Sequence, residues 1–190
     1  MTPVSDSAGA GELFSAHHDR ICRYIAGMIR DQAEAEDLTQ ETFLRALCRQ
    51  EALRDPKAAR GWLYRIATNV CLDRLRKRTR QGVVERGDNL EPAYPAVSQT
   101  PSAQEHAERA ETSACVQRCL DYLPDSYRAV ILLYEAHGLT AAEIAELLEV
   151  SVASIKIRLH RARQRLHEIM EIGCIVSEAN SGVPCCEVKK

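Results

Sequence analysis

Two basic stretches of helical period, held apart by a run with no period at all, constrain what this chain can fold into. The first extends from Gly61 to Arg78 and sets Trp62, Leu63, Ile66, Ala67, Val70, Cys71 and Leu75 at three- and four-residue spacing. That spacing lines apolar groups along one stripe of an α-helix. The second extends from Leu139 to Arg163, and its basic residues crowd between Lys156 and Arg165. Between the two, Gly82, Gly87, Pro92, Pro95, Ser98 and Pro101 punctuate the chain too densely for helix or strand. The pattern predicts an all-α protein built as two small helical domains joined by a flexible linker. Aromatic residues make up 5% of the chain, too few for the strands of a sandwich or barrel.

The expected boundaries follow from where periodicity starts and stops. Residues 1–10 are small and polar and form a frayed start. Residues 11–79 form the first domain, 80–103 the linker, 104–169 the second domain and 170–190 a cysteine-containing tail. In the first domain, Leu13, Phe14, His17, Ile21, Tyr24, Ile25 and Met28 mark one helix. Leu38, Phe43, Leu44 and Leu47 mark a second, and the Trp62 stretch is the third. Asp31-Gln32-Ala33 breaks the first from the second, and Arg54-Asp55-Pro56 ends the second, because proline turns its predecessor away from the helical basin. No strand pattern is apparent.

In the second domain, Pro124-Asp125-Ser126 turns the chain and caps a helix that carries Val130, Ile131, Leu133 and Tyr134. Gly138 is placed to end it, since glycine adopts positive φ at little cost. Thr140 with Glu143 three residues on is a capping box. Ala141 to Leu148 is then a short helix with Ile144, Ala145 and Leu148 inward, Glu149-Val150 a turn, and Ser151 the cap of a longer helix packed through Val152, Ile155, Leu159 and Ala162. This is the grammar of a helix-turn-helix. The outward face of its second helix offers Ser154, Lys156, Arg158, His160 and Arg161. Such a helix fits the major groove, where its first residues reach base edges and its cations bind phosphate. On the Trp62 helix, Asn69, Asp73, Arg74 and Arg76 are spaced to share part of one face, with Asn suited to a base edge and Arg to phosphate. The net charge of −2 hides these local basic stripes, which set the electrostatic footprint on DNA.

Two blocks of this sequence resemble a known family. Asp37-Leu38-Thr39-Gln40-Glu41-Thr42-Phe43, followed by Trp62-Leu63-Tyr64-Arg65-Ile66-Ala67-Thr68-Asn69 with Asp73 and Arg76, resembles region 2 of the extracytoplasmic-function sigma factors. Leu123-Pro124-Asp125-Ser126-Tyr127-Arg128, Gly138-Leu139-Thr140 and the stretch Ile155 to Arg163 resemble region 4. The resemblance implies two helical domains that bind core RNA polymerase and read the minus-10 and minus-35 promoter elements. It implies that Asp37, Gln40, Glu41 and Phe43 contribute to the surface docking on the polymerase clamp. The loop from Arg54 to Ala59 is a candidate pocket for an unstacked promoter base, and the acidic linker a candidate occupant of a nucleic-acid channel. An anti-sigma factor is a further candidate partner.

The eight cysteines divide into two groups. Cys22, Cys48 and Cys71 fall near apolar stripes and read as small hydrophobes. Cys115 and Cys119 lie four apart on one helix, beside the stripe of Val116, Leu120 and Leu123, while Cys174, Cys185 and Cys186 lie in the tail. Five thiolates so placed suggest a site for a soft metal such as copper(I), zinc or cadmium, with His106 and His167 as extra candidates. The arrangement is similar to the CorE-like sigma factors, which respond directly to metal, although the tail has fewer cysteines than that group and no CxxC. The competing reading is a structural or redox role. No cofactor is required by the rest of the sequence.

The chain carries no signal-peptide pattern and no apolar run near the length a bilayer span needs, so a cytoplasmic, membrane-free protein is expected. No catalytic triad, carboxylate pair or phosphate-binding glycine loop is apparent, so an enzyme is not expected. The alternative function is a metal-responsive helix-turn-helix repressor. It leaves the Asp37 and Trp62 blocks without a purpose.

Overall fold

Helix α1 (Ser7–Met28) buries Ile21, Tyr24, Ile25 and Met28, an i, i+3, i+4, i+7 set that makes one stripe. A computed structural model describes residues 7–29, 31–53, 55, 58–80, 116–178 and 184–188. Helix α2 (Gln32–Cys48) begins where Asp31 turns extended and its carboxylate accepts the Glu34 N–H at 3.0 Å, an N-cap that satisfies an otherwise orphaned donor. Helix α3 (Ala59–Arg80) lays Leu63, Ile66, Ala67, Val70, Cys71 and Leu75 against the other two. Three threonines sit in this core as well. Thr39, Thr42 and Thr68 each donate a hydroxyl to the carbonyl one turn back, at 2.7 Å in every case, so their polar groups are satisfied without water.

The C-terminal unit starts with helical residues 116–121, here α4. Helix α5 (Asp125–Ile131) follows Pro124, which offers no side-chain cap, and continues into a π turn, Leu132–Ala136. Gly138 takes φ 65° and ends it as the sequence predicts. Helix α6 (Ala141–Leu148) carries the full capping box: Glu143 N–H to the Thr140 hydroxyl at 3.2 Å, and Thr140 N–H to the Glu143 carboxylate at 2.7 Å. Those bonds also hold the Glu143 carboxyl below the usual carboxylate range. Glu149 makes the turn in a left-handed conformation, φ 56°, which costs a residue with a Cβ roughly 1 kcal/mol. Helix α7 (Val152–Gly173) runs past the expected domain end at 169, with Ile155, Leu159 and Ala162 buried.

Several expectations are corrected. Strands β1 (Cys174–Glu178) and β2 (Pro184–Val188) pair antiparallel, with Cys174 opposite Val188, Cys185 opposite Ser177 and Cys186 opposite Val176. Ten residues are too short a signal to stand out by period, yet Ile175, Val176 and Val188 are β-branched and suit a ladder. The helical class is otherwise as expected. Leu147, not Leu148, is the fully buried partner of Ile144 and Ala145, and Val152 is 40% exposed. Cys48 is exposed, so it is not a core hydrophobe, whereas Cys71 is buried and its thiol is pushed up to about 12 by desolvation. Linker residues 81–103, Cys115, His106 and half of the Arg54 to Ala59 loop lie outside the described residues. No helix among the described residues is long and apolar enough to cross a membrane.

The two helical units pack against each other through a few directed contacts. Arg128 is wholly buried and donates to the carbonyls of Leu120 at 2.9 Å, Asp121 at 2.7 Å and Met28 at 3.1 Å, so one guanidinium ties the ends of α4 and α1 together. Such charge-assisted bonds to helix C-terminal carbonyls also complement the helix dipole. Gln117 donates to the Gly27 carbonyl at 3.2 Å. A Cβ on Gly27 would stand 3.0 Å from Leu132 Cδ1, so glycine is what lets α1 approach the π turn this closely. Tyr24, Tyr64 and His137 stack in a cluster of tilted and edge-on rings 5.3–5.5 Å apart, and the Tyr64 hydroxyl bonds His137 Nδ1 at 2.8 Å.

Candidate nucleic-acid interface

The capping box, the Glu149 turn and the Ser151 cap together aim the first turns of α7 into solvent. Ser151 Oγ accepts the Ser154 N–H at 3.1 Å and the two hydroxyls bond at 2.8 Å, so Ser154 is engaged in the cap itself. Lys156, His160 and Arg161 are exposed, and Arg158 is half-buried on the flank. None of these four makes an ion pair among the described residues. The basic residues one to two turns further on are all paired. Arg163 holds Glu135 at 2.6 Å and lies over the Tyr134 ring at 5.3 Å, Arg165 holds Glu168 at 3.0 Å, and His167 meets Glu171 at 3.2 Å. Unpaired cations gain most from phosphate, because they give up no protein partner on binding.

The residues singled out on α3 do not stay together. Asn69 and Arg76 line a cleft with Arg65 from the same helix and with Leu148, Glu149 and Arg158 from the helix-turn-helix. Asp73 and Arg74 line a different cleft, with Glu34, Asp37, Glu41 and Arg45 of α2. Arg74 and Arg78 both reach the Glu34 carboxylate, Arg76 pairs with Asp73 at 3.2 Å, and Arg65 bridges to Glu149. The cause is helical pitch: around the axis Arg76 lies about 20° from Asn69, whereas Arg74 lies about 140° from it.

On α2, Asp37 and Gln40 are exposed and Glu41 holds Arg45 at 2.6 Å. Phe43 is corrected: it is 4% exposed and its ring stacks on His18 at 5.9 Å, so it belongs to the core. The apolar groups that α2 does present are Leu44 and Leu47, 62% and 49% exposed. Trp62 packs partly buried against the core.

Of the five cysteines proposed as metal ligands, only Cys119 has a described side chain; those of Cys115, Cys174, Cys185 and Cys186 lie outside what is described. Cys119 is 5% exposed and packs against Leu166, Ile169 and Met170, on the apolar contact between α4 and α7 and not beside it. Val116, expected on the stripe, is 37% exposed. Burial was misjudged because the stripe of a short helix shifts by one position when its partner crosses at an angle. His167 is engaged by Glu171.

Sequence reasoning missed three positions that the structure makes prominent. Arg128, in a motif quoted for its resemblance, gives no sign of being buried, because arginine is rarely so. His137 reads as the last residue of a helix beside its glycine cap, yet burial, reinforced by Arg23, Arg60 and Arg20, lowers its imidazole to about 4. Ile157 is 53% exposed in the middle of the basic face.

Comparisons with known proteins agree with this architecture. Residues 13–81 match Sigma-70 region 2 and residues 113–166 match Sigma-70, region 4. The chain is 36% identical over 160 residues to the ECF RNA polymerase sigma factor SigE of Mycolicibacterium smegmatis, covering 84% of this chain and 60% of that one. It is 30% identical over 167 residues to the ECF RNA polymerase sigma factor SigW of Bacillus subtilis, covering 86% and 89%. In fold it matches the sigma factor RpoE solved with the anti-sigma factor NepR from Bartonella quintana, with TM-score 0.63 and 23% identity over 85% of this chain and 96% of that one. Region 2 and region 4 in their proper order, on the helices described above, place this chain in the extracytoplasmic-function sigma factors of bacterial RNA polymerase.

Proposed function

We propose that the chain binds core RNA polymerase and directs it to promoters, with no catalytic step of its own. The observation that carries this reading is the set of basic residues on α7, Lys156, His160 and Arg161 exposed and Arg158 on the flank, that have no ion-pair partner among the described residues, beside a unit that matches Sigma-70 region 2 over residues 13–81. In this reading α7 enters the major groove of the upstream element, with Lys156 and Arg161 on phosphates or base edges. Asn69, Asp73, Arg74 and Arg76 serve the downstream element. Asp37, Gln40 and Glu41 dock on the polymerase together with exposed Leu44 and Leu47, which take the apolar part first given to Phe43. The repressor reading is disfavoured because it has no use for residues 13–81. An anti-sigma factor is a further partner in this proposal, on the ground that a protein of like fold is solved with one.

Run-off transcription with purified core polymerase tests the reading. Specific transcripts that appear on adding the chain are expected. Tight binding to duplex DNA by the chain alone, with no transcript from any template, overturns it in favour of the repressor.

Direct metal response would rest on the tail thiols Cys174, Cys185 and Cys186, with Cys115 and Cys119 as further candidates, and thiolate suits copper(I), zinc or cadmium. Equal metal content and equal metal-dependent output in wild type and in the C174S/C185S/C186S variant would remove the tail from any sensing role.

A further inference from the structure

We propose that Ile157 reads a thymine methyl group in the upstream promoter element and is a specificity-determining residue of this sigma factor. The proposal rests on the reading that α7 enters the major groove. Ile157 is 53% exposed, among the most exposed large apolar side chains of the described residues, and Val152 one turn and a half before it is 40% exposed. Both lie in the first two turns of α7, the part of a recognition helix that meets base edges. On the helical wheel Ile157 falls between exposed Ala153 one turn before it and exposed Arg161 one turn after, with Lys156 and His160 beside them.

An isolated exposed isoleucine needs no explanation. This one occupies the middle of a face whose long polar side chains, Lys156, His160 and Arg161, have no ion-pair partner among the described residues, so it cannot avoid the DNA that they hold. Its side chain has no donor or acceptor and gains nothing from phosphate. The one apolar feature that the major-groove edge of a base pair offers is the C5-methyl of thymine. Cations on either side set the distance to the backbone, and the hydrocarbon between them then meets whatever base edge lies beneath. Arg158 does not compete for that position, because it turns toward the cleft shared with Asn69 and Arg76.

The test uses holoenzyme and an upstream element selected by the wild-type chain from templates randomised there. Uracil replaces thymine position by position, which deletes only the methyl group. At one position the wild-type output should fall about fourfold, the factor that burial of one methyl-sized group supports. Ile157→Ala should give the same output on thymine and uracil templates, equal to that of wild type on uracil. A misfolded variant would fail on both templates, so this equality separates lost reading from lost structure. Uracil that costs nothing in wild type, or costs the same in wild type and Ile157→Ala at every position, overturns the proposal while leaving the sigma-factor reading intact. Absence of any specific transcript from the wild type overturns both.

Discussion

Helices α3 and α7 are the same length, carry similar numbers of basic residues, and are both assigned to DNA, yet they hold their charge differently. On α7 the basic residues of the first turns, Lys156 to Arg161, have no ion-pair partner among the described residues. On α3 every arginine from Arg65 to Arg78 is engaged: Arg65 with Glu149, Arg74 and Arg78 with Glu34, and Arg76 with Asp73. A surface of free cations binds a polyanion at once and loses that binding with salt. A surface of paired cations must first release its carboxylates. The difference teaches that, on the proposed reading, the α7 surface meets duplex DNA without first breaking an ion pair among the described residues. The region 2 surface is conditional, since Arg65, Asn69 and Arg76 face the helix-turn-helix across a shared cleft. Separating the two units would open the Arg65, Asn69 and Arg76 side of that cleft.

Four experiments would break or sharpen that comparison. The largest effect is expected at Arg128, whose guanidinium serves carbonyls of both units. Arg128→Met should cost about 3–5 kcal/mol, because it strands several buried acceptors. Urea unfolding should show the C-terminal unit melting first; a loss below about 1 kcal/mol would mean the carbonyls find other donors.

Next come the free cations. Lys156→Ala and Arg161→Ala should each weaken promoter binding by holoenzyme, by about 1–3 kcal/mol of discrimination where a base edge is read. Where phosphate is held, the salt slope should fall by about one instead. Arg76→Ala, which removes a paired cation, should change the slope less. Equal slopes for Arg76→Ala and Arg161→Ala would erase the contrast between the helices.

The third concerns pH. His137 is lowered to about 4 by burial and by Arg23, Arg60 and Arg20, so it stays neutral in the folded contact but takes a proton near 6.5 once exposed. Stability of the contact between the units is therefore full above about pH 6.5 and declines as pH falls toward 4. The half-buried ring limits the effect to about 1–2 kcal/mol after solvent screening. Labels on α1 and α7 should move apart over that range in wild type and not in His137→Gln. Identical pH profiles would show that His137 does not hold the contact.

The smallest effect is expected at Glu34, which is 13% exposed and holds two arginines. Glu34→Ala should cost about 1 kcal/mol in thermal unfolding and raise non-specific DNA retention, since Arg74 and Arg78 lose their partner. Unchanged retention would show that these arginines never face DNA.

Local signals made most of the fold legible. The stripes of α1 and α3, the Gly138 cap, the Thr140–Glu143 box and the Ser151 cap all depend on residues within a turn or two, and each is found where its residues stand. The exposed cations of α7 were legible for the same reason, because a helix surface follows from its own period. Other features required the third dimension. Phe43 reads as a docking residue and Cys119 as lying beside the stripe, yet both are buried, because which flank of a stripe is covered depends on the angle at which a partner helix crosses. Arg128 depends on two helix ends, 100 residues apart, meeting at one guanidinium. The pairing of the α3 arginines depends on Glu34 and Glu149 arriving from other elements. Sequence alone determined that this chain is two helical units with two basic helices, because period, caps and breakers act over short range. Only the tertiary structure decided which of those basic side chains are free, because an ion pair or a buried contact exists only once distant segments share the same space.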